Sequence, residues 1–131
     1  MNRIKEREQA FFLIFQNQFS AISDDDGISL YSENVEEVGE YAKDVYRGVL
    51  EHKDELDEII ASFSNGWKLN RIPKVNLSIL RLAVYEMKYN NDVPDSIAIN
   101  EAVELAKKYS GKEDSAFING ILGAYSRSNE Q

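Results

Sequence analysis

Apolar residues recur three and four positions apart along most of this chain, the spacing that places side chains on one face of an α-helix. Residues 3–19 contain no proline or glycine, and Phe11, Phe15 and Phe19 follow this spacing there. Only two prolines interrupt the whole sequence. The pattern therefore predicts an all-α protein, with a first helix at about residues 3–19.

Five later segments show the same periodicity. They predict helices at about residues 35–49, 56–63, 75–89, 95–109 and 114–126. The segment from 20 to 34 is rich in serine and aspartate, which is typical of an exposed loop. The stretch around Gly66 and Pro73 is the best internal boundary. We therefore expect one domain over residues 1–131, with helical subdomains at about 1–66 and 67–131.

The predicted helix at 75–89 is apolar around most of its circumference, unlike the others. Val75, Ile79 and Ala83 lie on one side of it, and Leu77 and Leu80 lie on the next. A helix with so wide an apolar arc is either central to a fold or offers one face to a partner. The sequence leaves both explanations open.

The segment "FINGIL", residues 117–122, carries signals for two structures. An Asn-Gly pair between apolar residues is typical of a tight β-hairpin, but an isolated two-stranded ribbon is marginal in water. As a helix, the segment places Ile118, Ile121 and Leu122 on one face. We therefore predict a helix, in which Gly120 permits close packing by a neighbouring backbone and Asn119 hydrogen-bonds a nearby loop.

Several kinds of chemistry are excluded or unsupported by the residue types present. The chain has no cysteine, so it has no thiolate nucleophile and no cysteine-based metal site, which fits a cytoplasmic location. Its one histidine, His52, lies in an acidic segment, and no phosphate-binding loop or dinucleotide fingerprint is present. We expect no enzymatic activity, no cofactor, no metal site and no segment that crosses a membrane.

Charge is distributed unevenly along the chain, although the net charge is −8. Residues 23–66 contain 13 acidic and 3 basic residues, whereas residues 67–112 contain 8 basic and 5 acidic residues. At the start of the first helix, Arg3, Lys5 and Arg7 form a first basic patch where unpaired backbone N–H groups also favour an anion. An ordinary charged helix start, paired with Glu6 and Glu8, is the alternative.

A second basic patch lies where the fifth predicted helix meets the last. It consists of Lys107, Lys108 and Lys112, with Tyr109 among them. An aromatic side chain among lysines can stack on a nucleic-acid base. Tyr109 can equally belong to the core, and its spacing does not decide between these roles.

The second half of the chain closely resembles the NusB family of bacterial transcription antitermination factors. The matching pieces are "ILRLAVYE", the proline after a short polar loop, "INEAVELAK" and "FINGIL", in the order and at the separations typical of that family. The start, "REQAFFLIFQ", resembles the opening helix of the family. The resemblance is strong after Asn76 and weaker over residues 20–66.

This resemblance implies two packed three-helix bundles and a regulatory function. NusB-family proteins bind boxA RNA of nascent ribosomal RNA transcripts, pair with the ribosomal protein NusE, and help to modify RNA polymerase. Carried over to this chain, the family's RNA contacts fall on Arg3, Lys5, Arg7, Tyr109 and Lys112. The resemblance also implies that NusE docks on the second bundle, at Asn76 and Leu77. The sequence departs from relatives at Ile4 and Glu6, which interrupt the basic run.

A second class of function fits the acidic first half of the chain. In that alternative the protein is a pure interaction module or a homodimer, and RNA binding is weak or absent. RNA binding that depends on salt and on the basic residues discriminates between the two, because phosphate contacts release counterions.

Overall fold

The computed structural model describes residues 2–130, and its regular structure is entirely helical in that range. Its seven α-helices are α1 (Arg3–Asn17), α2 (Asp24–Asn34), α3 (Glu40–Glu51), α4 (Lys53–Ser62), α5 (Lys74–Tyr89), α6 (Asp95–Tyr109) and α7 (Lys112–Ser128). A single 3₁₀ turn, Leu69–Arg71, precedes α5. The all-α prediction is confirmed. None of the helices within residues 2–130 is long and apolar enough to span a membrane.

Helix α2 corrects the prediction of an exposed loop over residues 20–34. The Ser23 side chain caps this helix by accepting a hydrogen bond from the backbone N–H of Asp26 at 3.1 Å. Three aspartates in the first turn face the positive end of the helix dipole, where negative charge is stabilising. Ile28 and Tyr31 are buried. The aspartates are therefore helix-start residues, and α2 packs on the core through two buried side chains.

The next helix begins later than predicted, at Glu40 instead of residue 35. Two side chains of α1 bind the backbone at the start of this helix. Glu6 accepts a hydrogen bond from the N–H of Tyr41 at 3.1 Å, and Gln9 accepts one from the N–H of Gly39 at 3.0 Å. A Cβ at Gly39 would lie 2.0 Å from a carboxylate oxygen of Glu6. A larger residue at position 39 would force the Glu6 side chain away from the backbone that it binds, so glycine suits the contact of this segment with α1.

Helix α5 lies at the centre of the fold. It packs against α1, α3 and α4 from the first half of the chain and against α6 and α7 from the second. Every residue from Asn76 to Val84 is buried. The wide apolar arc of this helix is therefore covered by the protein's own core, and a partner is not needed to explain it.

The segment "FINGIL" forms a helix and not a hairpin, because it lies within α7. Residues 117–122 are helical, with Ile118, Ile121 and Leu122 buried, so the helical prediction is confirmed. The expectation of close packing at Gly120 is wrong, because a Cβ built there would meet open space. Asn119 is exposed on the same outer side of the helix, and the expected bond to a loop is not seen in residues 2–130.

Candidate nucleic-acid interface

The carboxylate of Glu8 joins the two basic patches into one surface. Its Oε2 accepts hydrogen bonds from the ammonium of Lys108 and the hydroxyl of Tyr109, both at 2.7 Å. Its Oε1 lies 3.8 Å from the Nζ of Lys5. The start of α1 and the end of α6 are therefore in direct contact, although 100 residues separate Glu8 from Lys108 in the sequence.

Tyr109 belongs partly to the core and partly to this surface. Its ring packs against Phe11 and Phe12, with ring centroids 5.3 Å apart in each case. Its hydroxyl faces outward to Glu8, and partial burial together with that hydrogen bond raises the pKa of Tyr109. The ring is consequently held in one orientation at the edge of the basic surface.

The lysines around Glu8 are charged and differ in how firmly they are paired. Lys5 also contacts Glu36 at 3.0 Å, and its hydrogen bond to Glu36 raises the pKa of Lys5. The side chain of Lys108 is 62% exposed, and its hydrogen bond to Glu8 raises its pKa. Burial alone would raise the pKa of Glu8, but the bonds from Lys108 and Tyr109 lower it overall. Glu8 is therefore ionised near neutral pH and carries the charge that these cations share.

Arg3 lies on the outside of α1 and is held by an aromatic ring. Its guanidinium carbon is 3.6 Å from the ring centroid of Tyr41, in a cation–π contact. The hydroxyl of Tyr41 donates to Glu86 and accepts a hydrogen bond from Asn90 at 3.1 Å. Burial, followed by the bond to Glu86, raises the pKa of Tyr41 to about 12. Arg3 thus stays exposed while its guanidinium is fixed in place.

Arg7 occupies a different environment from Arg3, although the two are four residues apart. Its Nε lies 3.0 Å from both carboxylate oxygens of Glu86, and the two side chains are only 6% and 2% exposed. The guanidinium of Arg7 therefore faces the core, between α1 and α5. The four-residue spacing predicts that both arginines lie on one face of the helix, but it does not predict how deeply each side chain is buried.

Lys112 is exposed and stands at the first turn of α7. The turn before it is fixed by Asn76, whose Nδ2 donates to Asp114 at 2.8 Å and whose Oδ1 accepts from the hydroxyl of Ser110 at 3.0 Å. The bond from Asn76 lowers the pKa of Asp114. Asn76 therefore holds the junction between α6 and α7 from inside the protein.

The two residues predicted to bind a protein partner are both inside the fold. Asn76 is 1% exposed and Leu77 is 7% exposed. Nearby, two aromatic side chains that the prediction of sites missed are exposed, Phe19 at 64% and Trp67 at 54%. Phe19 lies near the start of α5, with its ring centroid 5.7 Å from the Nζ of Lys74. The sequence favours a place at the edge of the core for the isolated Trp67, so no sequence signal identified these two rings as exposed.

These features define a small all-helical binding protein whose basic surface forms where the ends of three helices meet. The chain belongs to the NusB family, whose family model matches residues 4–127. The transcription antitermination protein NusB of Acetivibrio thermocellus is 50% identical over 126 residues, which cover 94% of this chain and 87% of the relative. NusB of a Thermoanaerobacter species is 44% identical over 133 residues, which cover 97% and 91% of the two chains.

Solved structures of NusB proteins share this fold. The structure of T. maritima NusB superposes with a TM-score of 0.84 at 29% identity and covers 97% of this chain and 92% of that one. A crystal structure of antitermination factors NusB and NusE in complex with dsRNA matches with a TM-score of 0.86 at 24% identity, over 98% and 99% of the two chains. The NusB-like all-α fold implied by the sequence is therefore confirmed.

Proposed function

We propose that this protein is a transcription antitermination factor and not an enzyme. It binds boxA RNA of nascent ribosomal RNA transcripts together with NusE, in the cytoplasm, as part of an RNA polymerase antitermination complex. Relatives at 50% and 44% identity carry the name transcription antitermination protein, and a protein of the same fold has been crystallised with NusE and dsRNA. The observation that carries the proposal is the single basic surface formed through Glu8.

The RNA surface consists of the cations that point outward. Arg3, Lys108 and Lys112 are exposed, and Lys5 and Tyr109 are half-buried beside Glu8. Arg7 keeps the start of α1 in place through its buried pair with Glu86, and it supports the surface without touching RNA. Phosphates then lie along the start of α1, the end of α6 and the start of α7, and the N-termini of α1 and α7 add favourable dipoles.

NusE docks beside this surface, around the exposed aromatic side chains. Phe19 and Trp67 present apolar area near the start of α5, and aromatic residues are enriched in protein interfaces. Asn76 lines the same cleft as Trp67, and Leu77 follows it inside the fold. In this proposal NusE lies next to the junction of α6 and α7, and RNA and NusE bind the same side of the molecule.

Titration of fluorescent boxA RNA, with and without NusE and at two salt concentrations, tests the proposal. Wild-type protein should bind, and affinity should fall as salt rises because lysines displace counterions from phosphates. The double variant Lys108→Ala and Lys112→Ala should weaken binding and flatten the salt dependence. Lys43→Ala with Lys53→Ala, which changes the net charge equally on α3 and α4, is the matched control and should bind like wild type.

Two outcomes would count against the proposal. RNA binding that is absent even with NusE would favour the pure interaction module, and mass in solution would then reveal a homodimer. Equal losses in the two double variants would mean that only net charge matters, and the surface assigned here would be wrong.

A further inference from the structure

The environment of Glu8 is unusual for an exposed basic surface, because an acid lies among the basic residues and binds them. Three donors converge on one carboxylate: the ammonium groups of Lys5 and Lys108 and the hydroxyl of Tyr109. The side chain of Glu8 is only 16% exposed, whereas that of Lys108 is 62% exposed. The negative charge is thus held inside a ring of donors that faces solvent.

These three groups are donors of the kind that bind RNA phosphates. Lysine ammonium groups and tyrosine hydroxyls are common partners of phosphate oxygens, and charge-assisted bonds of this kind are strong. One oxygen of Glu8 already takes two of them at 2.7 Å. A phosphate that approaches Lys108 must therefore either displace the carboxylate or bear its repulsion.

We propose that Glu8 is an internal competitor of the RNA backbone, which holds Lys108 and Tyr109 until a phosphate displaces its carboxylate. The inference rests on the proposed function, because it describes how the same surface is regulated. Glu8 lowers the affinity for RNA at this position and keeps the cation and the aromatic ring ordered in the free protein.

The other acids nearby limit the effect to one lysine. Lys5 has a second and closer carboxylate partner in Glu36, at 3.0 Å, so it stays paired when Glu8 moves away. Lys107 pairs with Glu104 at 3.5 Å, and both lie in the same cleft of about 340 Å³ that Glu8 and Lys108 line. The cation released from Glu8 is therefore Lys108. The expected gain in RNA affinity is that of about one phosphate contact.

The variant Glu8→Gln separates competition from simple support. Glutamine retains a carbonyl that accepts the hydrogen bond of Tyr109, but it removes the negative charge. We expect RNA affinity to rise about threefold to tenfold, the effect of removing one like charge beside a phosphate. The slope of log affinity against log salt should also become steeper by about 0.7, the value for one added contact with single-stranded RNA.

The chain contains a matched control at Glu55 on α4. This acid also contacts a consecutive lysine and tyrosine, since Lys88 lies 3.8 Å away and the hydroxyl of Tyr89 donates to it. Its neighbours along the chain, Asp54 and Glu58, are acidic. Glu55→Gln changes the net charge by the same amount and should leave RNA affinity and its salt slope unchanged.

The experiment is the same boxA RNA titration with NusE, made on wild type, both glutamine variants and Glu8→Gln combined with Lys108→Ala. The gain from Glu8→Gln should vanish when Lys108 is also replaced, and midpoints of urea unfolding should show that all variants fold. Unchanged or weaker binding by Glu8→Gln would overturn the proposal, while wild-type binding would still uphold the proposed function. Absence of RNA binding by wild type and Glu8→Gln alike would overturn both.

Discussion

Two ion pairs start from neighbouring residues of α1 and lie at different depths. Arg7 pairs with Glu86, and those side chains are 6% and 2% exposed. Glu8 pairs with Lys108, and those side chains are 16% and 62% exposed. A buried pair is desolvated and its two charges depend on each other, whereas an exposed pair contributes little to stability and can exchange partners.

The comparison shows how one short segment divides its charges between folding and binding. The buried pair ties α1 to α5. The exposed pair leaves the ammonium of Lys108, at the end of α6, accessible to solvent beside the start of α1. A ligand can compete only for the second pair, because access to the first requires that the protein open.

The largest expected effect on stability is that of Arg7→Ala, which tests the buried pair. It leaves Glu86 charged and buried without its partner, so the free energy of unfolding should fall by about 3–5 kcal/mol. Urea unfolding followed by circular dichroism measures the loss. The control, Arg3→Ala, removes the same charge from an exposed position and should cost under about 1 kcal/mol. Similar losses in the two variants would show that depth does not separate these residues.

Tyr41→Phe tests the buried pair from its other side. The change removes the hydroxyl that donates to Glu86, and loss of a hydrogen bond to a charged group costs about 1.5–3 kcal/mol. The ring beneath Arg3 remains, and the hydroxyl has only a small role in the cation–π contact. RNA affinity of the folded variant should therefore stay within about twofold of wild type. A large loss of RNA affinity in folded Tyr41→Phe would contradict the division between folding and binding.

Lys108→Ala tests the exposed pair alone. Unfolding free energy should change by less than about 1 kcal/mol, because the lysine is well exposed. RNA affinity should fall about threefold to tenfold with the loss of one phosphate contact. Parallel urea unfolding and RNA titration measure both quantities. Loss of stability without loss of affinity would reverse the roles assigned to the two pairs.

The smallest expected effect is the pH dependence that Glu8 contributes. Its pKa in the folded protein is lower than the usual value of 4.5, so its contribution to stability is present above that value and is lost as pH falls through the folded pKa. Unfolding free energies of wild type and Glu8→Gln, measured between about pH 6 and pH 3, should therefore converge at the acid end. A difference that is constant over this range would show that the charge of Glu8 does not stabilise the fold.

Much of the architecture could be predicted because apolar periodicity reports directly on helices. The start of α1, the span of α6 and the helical state of residues 117–122 all follow from it. Helix α2 was missed because only Ile28 and Tyr31 of its apolar residues are buried, while Leu30 is 45% exposed. So weak a stripe cannot be told from a loop without knowledge of what covers it.

The candidate site was only partly predictable, because a residue's depth depends on contacts distant in sequence. Arg7 is buried by Glu86, 79 positions away, and Glu8 meets Lys108 across 100 positions. Asn76 was expected at the surface, and its polar side chain is instead satisfied within the junction of α6 and α7. Helical spacing identified where the basic residues lie along each helix, but pairing decided which of them remain available.

Trp67 gives the molecule a built-in optical probe. It is the only tryptophan in the chain, it is half exposed, and its ring centroid lies 5.9 Å from that of Phe117 in the second turn of α7. Its emission therefore reports on one place, the side of the fold where partner and RNA are proposed to meet. Assembly can be followed on unlabelled protein, with RNA and any tryptophan-free partner contributing no signal of their own.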